Sequence, residues 1–249
     1  MRELDSIAIV GAGRLGTALA AALGAAGLDV RGPLGRGATA SGAGVVLLCV
    51  PDGEIERAAA AIELGPLVGH CSGATGLAPL SPHEAFSLHP LMTVPANARP
   101  GVLAGAGCAV DGTTARALEV AEGLAALLGM NATRIAEEDR VAYHAAASIA
   151  SNFLVTLEGA AERLAATAGV DRALLAPLVR AAVEDWAERG AADALTGPIA
   201  RGDEETVARQ RAAVAERAPD LLELFDALAR ATRSLASEAA TSALRKAVA

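Results

Sequence analysis

Apolar runs of four to seven residues recur through the first half of the chain, separated by stretches with helical spacing. IAIVG (7–11) reads as a buried strand, and RLGTALAAALGAAG (14–27) as a helix stopped by Gly27. LDVRG (28–32) is a short second strand. VVLLCV (45–50) is uninterrupted, as expected of a strand covered on both faces. DGEIERAAAAI (52–62) predicts a helix with Asp52 as its N-cap. LVGHCSG (67–73), AFSLHPL (85–91) and GCAVDG (107–112) predict further strands. TTARALEVAEGLAALLG (113–129) predicts a helix closed by Gly129, and NATRIA (131–136) ends the series. Strands alternating with helices predict an α/β fold, a doubly wound parallel sheet.

From EEDRVAYHAAAS onward the spacing is helical to the end, punctuated at Gly169, Pro177, the GAADALTGPIARGD segment and Pro219. The expected organisation is a dinucleotide-binding domain over 1–136 and an all-α domain over 137–249. No Pro/Gly linker separates them, so the first long helix is expected to run straight out of the sheet domain.

Composition narrows the function classes. The 249 residues are 53% hydrophobic but only 2% aromatic, so alanine, leucine and valine must fill the core. A net charge of −8 argues against a nucleic-acid or anionic-membrane surface. No apolar run reaches the roughly 18–20 residues of a membrane span, and MRELDSIAIVGAG lacks the form of a signal peptide. A cytoplasmic protein is expected. Cys49, Cys71 and Cys108 have no metal-ligand spacing and read as buried small hydrophobes, so no metal site is expected.

Gly11-Ala12-Gly13-Arg14-Leu15-Gly16 is a G-x-G-x-x-G that follows a strand and opens a helix, the context a dinucleotide pyrophosphate requires. Gly11 permits the tight turn, Gly13 the approach of the phosphates, and Gly16 close helix–strand packing. The second strand carries no acid at its tip, where an NAD site would hold the ribose hydroxyls; Arg31 and Arg36 lie there instead. NADP(H) is therefore the expected cofactor, with Arg36 the first choice for its 2′-phosphate and Arg31 the second. Val50, Pro51 and Ser72, at the ends of later strands, are expected to border the nicotinamide.

YHAAASIASN (143–152) places His144, Ser148 and Asn152 four residues apart, on one stripe of a helix. A packed core disfavours such polar groups, whereas a cleft uses them. Histidine titrates near neutrality, which makes it a natural proton donor. Of the four histidines, His70 reads as structural and His83 as a surface residue; His89 and His144 are the candidates for chemistry. Ser148 and Ser151 can also bond their own helix backbone. In LTGPIARGD (195–203), Asp203 is an N-cap candidate. Thr196, Gly197 and Arg201 are candidates for binding a carboxylate substrate.

The G-x-G-x-x-G domain, SLHPL (87–91), YHAAASIASN and LTGPIARGD occur together in this order. The combination resembles Rossmann-like proteins whose helical C-terminal half is known as domain of unknown function 2520. The resemblance implies an NADP-dependent oxidoreductase of the 6-phosphogluconate dehydrogenase-like group, which includes ketopantoate reductase, pyrroline-5-carboxylate reductase, prephenate dehydrogenase and the β-hydroxyacid dehydrogenases. It also implies a homodimer formed through the helical domain. Ketopantoate reductase and the β-hydroxyacid dehydrogenases place a lysine on the first helix after the nucleotide domain, with an asparagine one turn later. Asn152 matches the asparagine. Ser148 stands at the lysine position, and the sole lysine is Lys246. His89-Pro90 is similar to the His-Pro element of prephenate dehydrogenases. The expected activity is reduction of a small carboxylate-bearing carbonyl compound, a 2-oxo acid of the ketopantoate type. Asn152 and Ser148 would bind it, and His144 or His89 would donate the proton. An imine reductase of the pyrroline-5-carboxylate type and a non-catalytic NADP-binding sensor are the alternatives.

Overall fold

The computed structural model describes residues 6–99 and 101–248, apart from the side chains of residues 239 and 242–248. Seven strands form one sheet in the order β2-β1-β3-β4-β5-β6-β7. They are β1 (Ser6–Val10), β2 (Asp29–Leu34), β3 (Val45–Leu48), β4 (Leu67–His70), β5 (Ala85–Leu91), β6 (Gly107–Gly112) and β7 (Asn131–Arg134). Helices cover both faces, which explains why β3 and β4 are buried throughout and why β3 is wholly apolar. On one face α1 (Arg14–Ala25) and α3 (Ala115–Leu127) bury Leu19, Leu23, Ala121 and Leu124 in one cluster with Ile7, Ile9, Leu47, Phe86 and Val110 of the sheet. On the other, α2 (Ile55–Ala60) packs Ile55 and Ala59 against Ala8, Val46 and Val68.

The doubly wound α/β architecture is the expected one, with one pairing reversed. β1 to β5 run parallel, but β6 is antiparallel to β5, and β7 is parallel to β6. A parallel return needs a crossover, usually a helix. The described residues between β5 and β6 form only turns and irregular backbone, so the chain doubles back. Strand ends also differ from the pattern. β2 runs on to Leu34, two residues further than expected, whereas β4 stops at His70 because Cys71–Gly73 turn out of the sheet.

Two compact units emerge, Met1–Ser151 and Asn152–Ala249. The division falls later than the change of pattern at 136/137. The reason is α4 (Arg140–Ser148): its first residue is buried among groups of the sheet, so the opening helix belongs to the first unit. A π-helical turn, Ile149–Phe153, follows α4.

The second unit is helical: α5 (Leu154–Ala166), α6 (Arg172–Arg189), α7 (Ala191–Ala194), α8 (Glu204–Arg217) and α9 (Leu222–Val248). Asp203 caps α8 by accepting from the Thr206 N–H at 3.0 Å. Pro177 does not break the helical run but lies inside α6. Arg211 makes a bidentate pair with Asp226, both contacts at 2.8 Å. Several large apolar side chains stay exposed here, including Phe153 (60%), Leu174 (71%) and Trp186 (55%).

Candidate active site

The G-x-G-x-x-G loop shows what each glycine is for. Gly11 has φ +117°, and a Cβ there would lie 2.2 Å from the Cys49 carbonyl oxygen. A Cβ on Gly16 would meet the Gly11 carbonyl oxygen at 2.0 Å. The fold itself dictates both. Gly13 is different: its backbone is extended (φ −76°, ψ −179°), and a Cβ would meet nothing within 4 Å. Nothing inside the protein requires a glycine there. Gly13 is also the N-cap of α1, where no side chain caps the helix and no acid occupies the first turn. The free N–H groups and the helix dipole are left to face an anion from outside.

Gly11, Ala12 and Gly13 line a cleft of about 550 Å³ together with Arg36, Val50 and Pro51. Arg31 and Arg36, alternatives in the sequence, are now distinct. Arg36 is exposed on the cleft wall. Arg31 instead donates from Nη1 to the Ser41 carbonyl at 2.7 Å, bracing the loop after β2. Arg57, from α2, also lines the cleft and pairs with Glu54. The remaining loop residues serve the fold: Leu15 packs against the core, Gly16 is buried and Arg14 is exposed away from the lining. An open cradle at a helix N-terminus and a cation on the opposite wall fit the pyrophosphate and a phosphorylated ribose of a dinucleotide.

Two expectations at the neighbouring strand ends change. Asp52 does not cap α2, which starts three residues later. Its Oδ2 accepts from the Ser72 hydroxyl at 2.8 Å and the Thr75 hydroxyl at 3.2 Å. Ser72 in turn accepts from the N–H groups of Ala74 (3.3 Å) and Thr75 (2.9 Å). The buried Ser72 hydroxyl is thus engaged in shaping its own loop. His70 completes this frame. Its Nδ1 accepts from the Ser72 N–H at 3.2 Å, so the 2.9 Å contact of Nε2 with the Gly76 carbonyl is a donation. Burial holds His70 below its ordinary pKa, and it is structural as expected. His83 is buried rather than on the surface, its Nε2 3.1 Å from the Ala59 carbonyl.

Beside this frame the structure brings His89 and His144 together. The rings are 6.1 Å apart at 76°. A Cβ on Gly73 would strike both, at 2.8 Å from His89 Cε1 and 2.9 Å from His144 Cδ2. Only a glycine lets the turn after β4 pass under the pair. His144 caps no backbone carbonyl among the described residues. His89 Nδ1 lies 2.8 Å from the hydroxyl of Tyr143, the only tyrosine in the chain. His89 is lowered to about 4, first by burial, then by the charges of His144 and Arg140. Burial pushes Tyr143 up to about 12. Near neutrality His89 is therefore uncharged and Tyr143 keeps its proton.

Arg140, which sequence reasoning passed over, is the charged group behind the pair. It is 1% exposed. Its Nη2 donates to Ser87 Oγ at 2.5 Å and lies 3.8 Å from Asp111 Oδ2, while Nη1 donates to the Thr75 carbonyl at 3.4 Å. One side chain thus ties α4 to β5, β6 and the turn after β4. Within EEDR nothing local marks it out; only the sheet positions of Ser87 and Asp111 reveal its partners. Cys49 and Cys71 directly follow the adjacent strands β3 and β4 with their sulfurs 3.8 Å apart, and Cys71 is held well above the usual thiol range by that contact and by burial.

Of the polar stripe, Ser148 closes α4, and Ser151 donates to the Ala147 carbonyl at 2.7 Å. The π turn between Ser148 and Asn152 replaces α-helical spacing, so Asn152 is not the next step of one α-helical stripe. Asn152 is the first residue of the second unit. Thr196, Gly197 and Arg201 also belong to that unit, in the turn before α8. Gly197 has φ +98°, and Arg201 is exposed without an ion pair among the described residues.

A family model described as domain of unknown function (DUF2520) matches residues 106–232. The chain belongs to this family. No curated protein matches the sequence. Among solved structures, the chain is similar to BF3122 of Bacteroides fragilis, provisionally described as an NADP oxidoreductase. The TM-score is 0.78 at 19% identity, covering 92% of this chain and 98% of that one. Protein TM1727 of Thermotoga maritima gives 0.74 at 23% identity, covering 93% and 98%. The 1-pyrroline-5-carboxylate reductase of Streptococcus pyogenes gives 0.63 at 13% identity, covering 92% and 98%. At these identities the likeness establishes the shared fold. Among the described residues no helix is long and apolar enough to cross a membrane.

Proposed function

We propose that this DUF2520 protein is an NADP(H)-dependent reductase of a small compound containing a C=O or C=N bond. The observation that carries the reading is the Gly13 cradle: a glycine required by no internal contact, at an uncapped helix N-terminus, in a cleft walled by Arg36. NADPH, when bound, supplies the hydride. The chain's own residues do the rest. The first turn of α1 holds the pyrophosphate, and Arg36 pairs with the 2′-phosphate. The His89–His144 pair stands beyond the end of β4, on the carboxyl edge of the parallel strands, where ligands of such sheets bind.

The substrate we favour bears a carboxylate, a 2-oxo acid of the ketopantoate type. The reduction of a cyclic imine is the second reading, favoured by the likeness to a 1-pyrroline-5-carboxylate reductase. We also propose that the exposed apolar residues of the helical unit are covered in a homodimer, which sedimentation equilibrium tests. The activity is tested by stopped-flow oxidation of NADPH with a panel of 2-oxo acids and cyclic imines. Tight NADPH binding without turnover of either class would replace the reductase with a nucleotide-binding sensor.

A further inference from the structure

His89 and Tyr143 come from different elements, β5 and α4, and meet edge to face with ring centroids 5.6 Å apart at 87°. The polar contact between them is the 2.8 Å approach of Tyr143 Oη to His89 Nδ1. A phenol shares its oxygen lone pair with the ring, so it donates a hydrogen bond more readily than it accepts one. With the hydroxyl hydrogen directed at Nδ1, the proton of a neutral imidazole must sit on Nε2. No residue among those described accepts a hydrogen bond from Nε2. This leaves a donor at the edge of the sheet with no internal partner.

We infer that Tyr143 is a positioning residue that fixes His89 as the neutral Nε2–H tautomer, and that this N–H is the hydrogen-bond donor to the substrate's carbonyl oxygen or imine nitrogen. The inference rests on the reductase reading and narrows it. A neutral imidazole does not surrender its last proton near neutrality, so His89 polarises the bond rather than protonating it. As hydride reaches carbon, the π electron pair moves onto oxygen or nitrogen and is held by the N–H. The proton that completes the alcohol or amine comes from His144 or from water.

The groups facing His89 favour this state on balance. His144, Arg140 and Tyr143 face it from α4, His70 from β4 and Asp52 from the turn after β3. Burial, the neighbouring imidazoles and Arg140 oppose a charge on His89, while Asp52 favours one. Arg140 is itself held by Ser87, two residues before His89 on the same strand, so the opposing charge is fixed in place.

Nitrogen-15 NMR of the full-length, histidine-labelled protein tests the tautomer directly, since there are only four histidines to assign. At pH 7 His89 should show a protonated Nε2 and a bare Nδ1, and Tyr143→Phe should convert it toward a tautomer mixture while the thermal melt and NADPH affinity stay near wild type. A protonated Nδ1 in the wild type, or a tautomer indifferent to Tyr143→Phe, overturns the inference. Kinetics test the donor role. His89→Gln keeps an N–H donor and should retain turnover within about tenfold, whereas His89→Leu should lose roughly a hundred- to a thousandfold, as for other lost oxyanion donors. Equal losses in the two variants would make His89 a proton donor instead. A tautomer that responds as expected in a protein reducing no carbonyl or imine sinks the reductase reading and leaves the Tyr143 lock standing. Reduction with an unresponsive tautomer does the reverse.

Discussion

Replacing the three glycines of the phosphate loop one at a time separates folding from binding. Gly11→Ala forces an L-residue to φ +117° and drives its Cβ to 2.2 Å from the Cys49 carbonyl. The backbone conformation costs about 1–2 kcal/mol and the overpacking about 1–3 kcal/mol. At roughly 2–4 °C per kcal/mol for a chain of this size, the melting temperature should fall by about 4–20 °C. Gly16→Ala, with its Cβ 2.0 Å from the Gly11 carbonyl, should behave similarly. Gly13→Ser should not. Its side chain enters open space, and serine is a better N-cap than glycine by a few tenths of a kcal/mol, so the ligand-free protein should be as stable as the wild type or slightly more so. The same side chain stands where the pyrophosphate must approach. An overlap costing about 1–3 kcal/mol weakens NADPH roughly ten- to a hundredfold, readable by fluorescence titration. If Gly13→Ser melts as low as Gly11→Ala, or binds NADPH as tightly as the wild type, the division of roles is wrong.

Arg36→Ala should weaken NADPH by roughly tenfold or more through loss of a charge-assisted hydrogen bond of about 1.5–3 kcal/mol, with NADH affinity unchanged. Arg31→Ala, whose target is the Ser41 carbonyl, should not discriminate between the two cofactors. Arg140→Met removes the partner of the buried Ser87 and leaves Asp111 short of a cation; the loss should be about 3–5 kcal/mol in denaturant unfolding. His89 makes stability depend on pH with a definite sign. Its folded-state pKa, about 4, lies below the unfolded 6.5. The unfolded chain therefore binds the proton first, and stability is lost as pH falls from 6.5 toward 4. His89→Gln should flatten that part of the curve relative to wild type. A wild-type slope identical to that of the variant would contradict the buried, neutral imidazole.

The fold was legible where it depends on local pattern. The buried runs of β1 and β3, the glycine loop and the Asp203 cap each carry their information within a few residues. The reversal of β6 was not, because direction is set by what joins two strands, and a segment without helical spacing is compatible with either. The site divides along the same line. His89 and His144 are nameable as the histidines on a strand end and on the opening helix. That they face each other depends on Gly73, a residue whose small size matters only once the turn is in place. The contact of Tyr143 with His89 spans 54 positions, and Arg140 is buried by Ser87 and Asp111 from two different strands. A faint signal existed for Tyr143: it is the sole tyrosine of a chain with 2% aromatics, and it directly precedes a candidate histidine. The π turn that separates Ser148 from Asn152 left no comparable trace.

The antiparallel seam between β5 and β6 has a practical consequence for anyone dissecting the chain. It looks like a natural place to cut, since the direction of the sheet changes there. Yet β6 is hydrogen-bonded along its length to β5, from Gly107 opposite Leu91 to Gly112 opposite Phe86. A fragment starting at β6 would carry a bare strand edge and an Arg140 stripped of Ser87, and exposed edges of that kind recruit other chains. Cleavage or truncation at this seam should yield aggregating halves, not two separable modules.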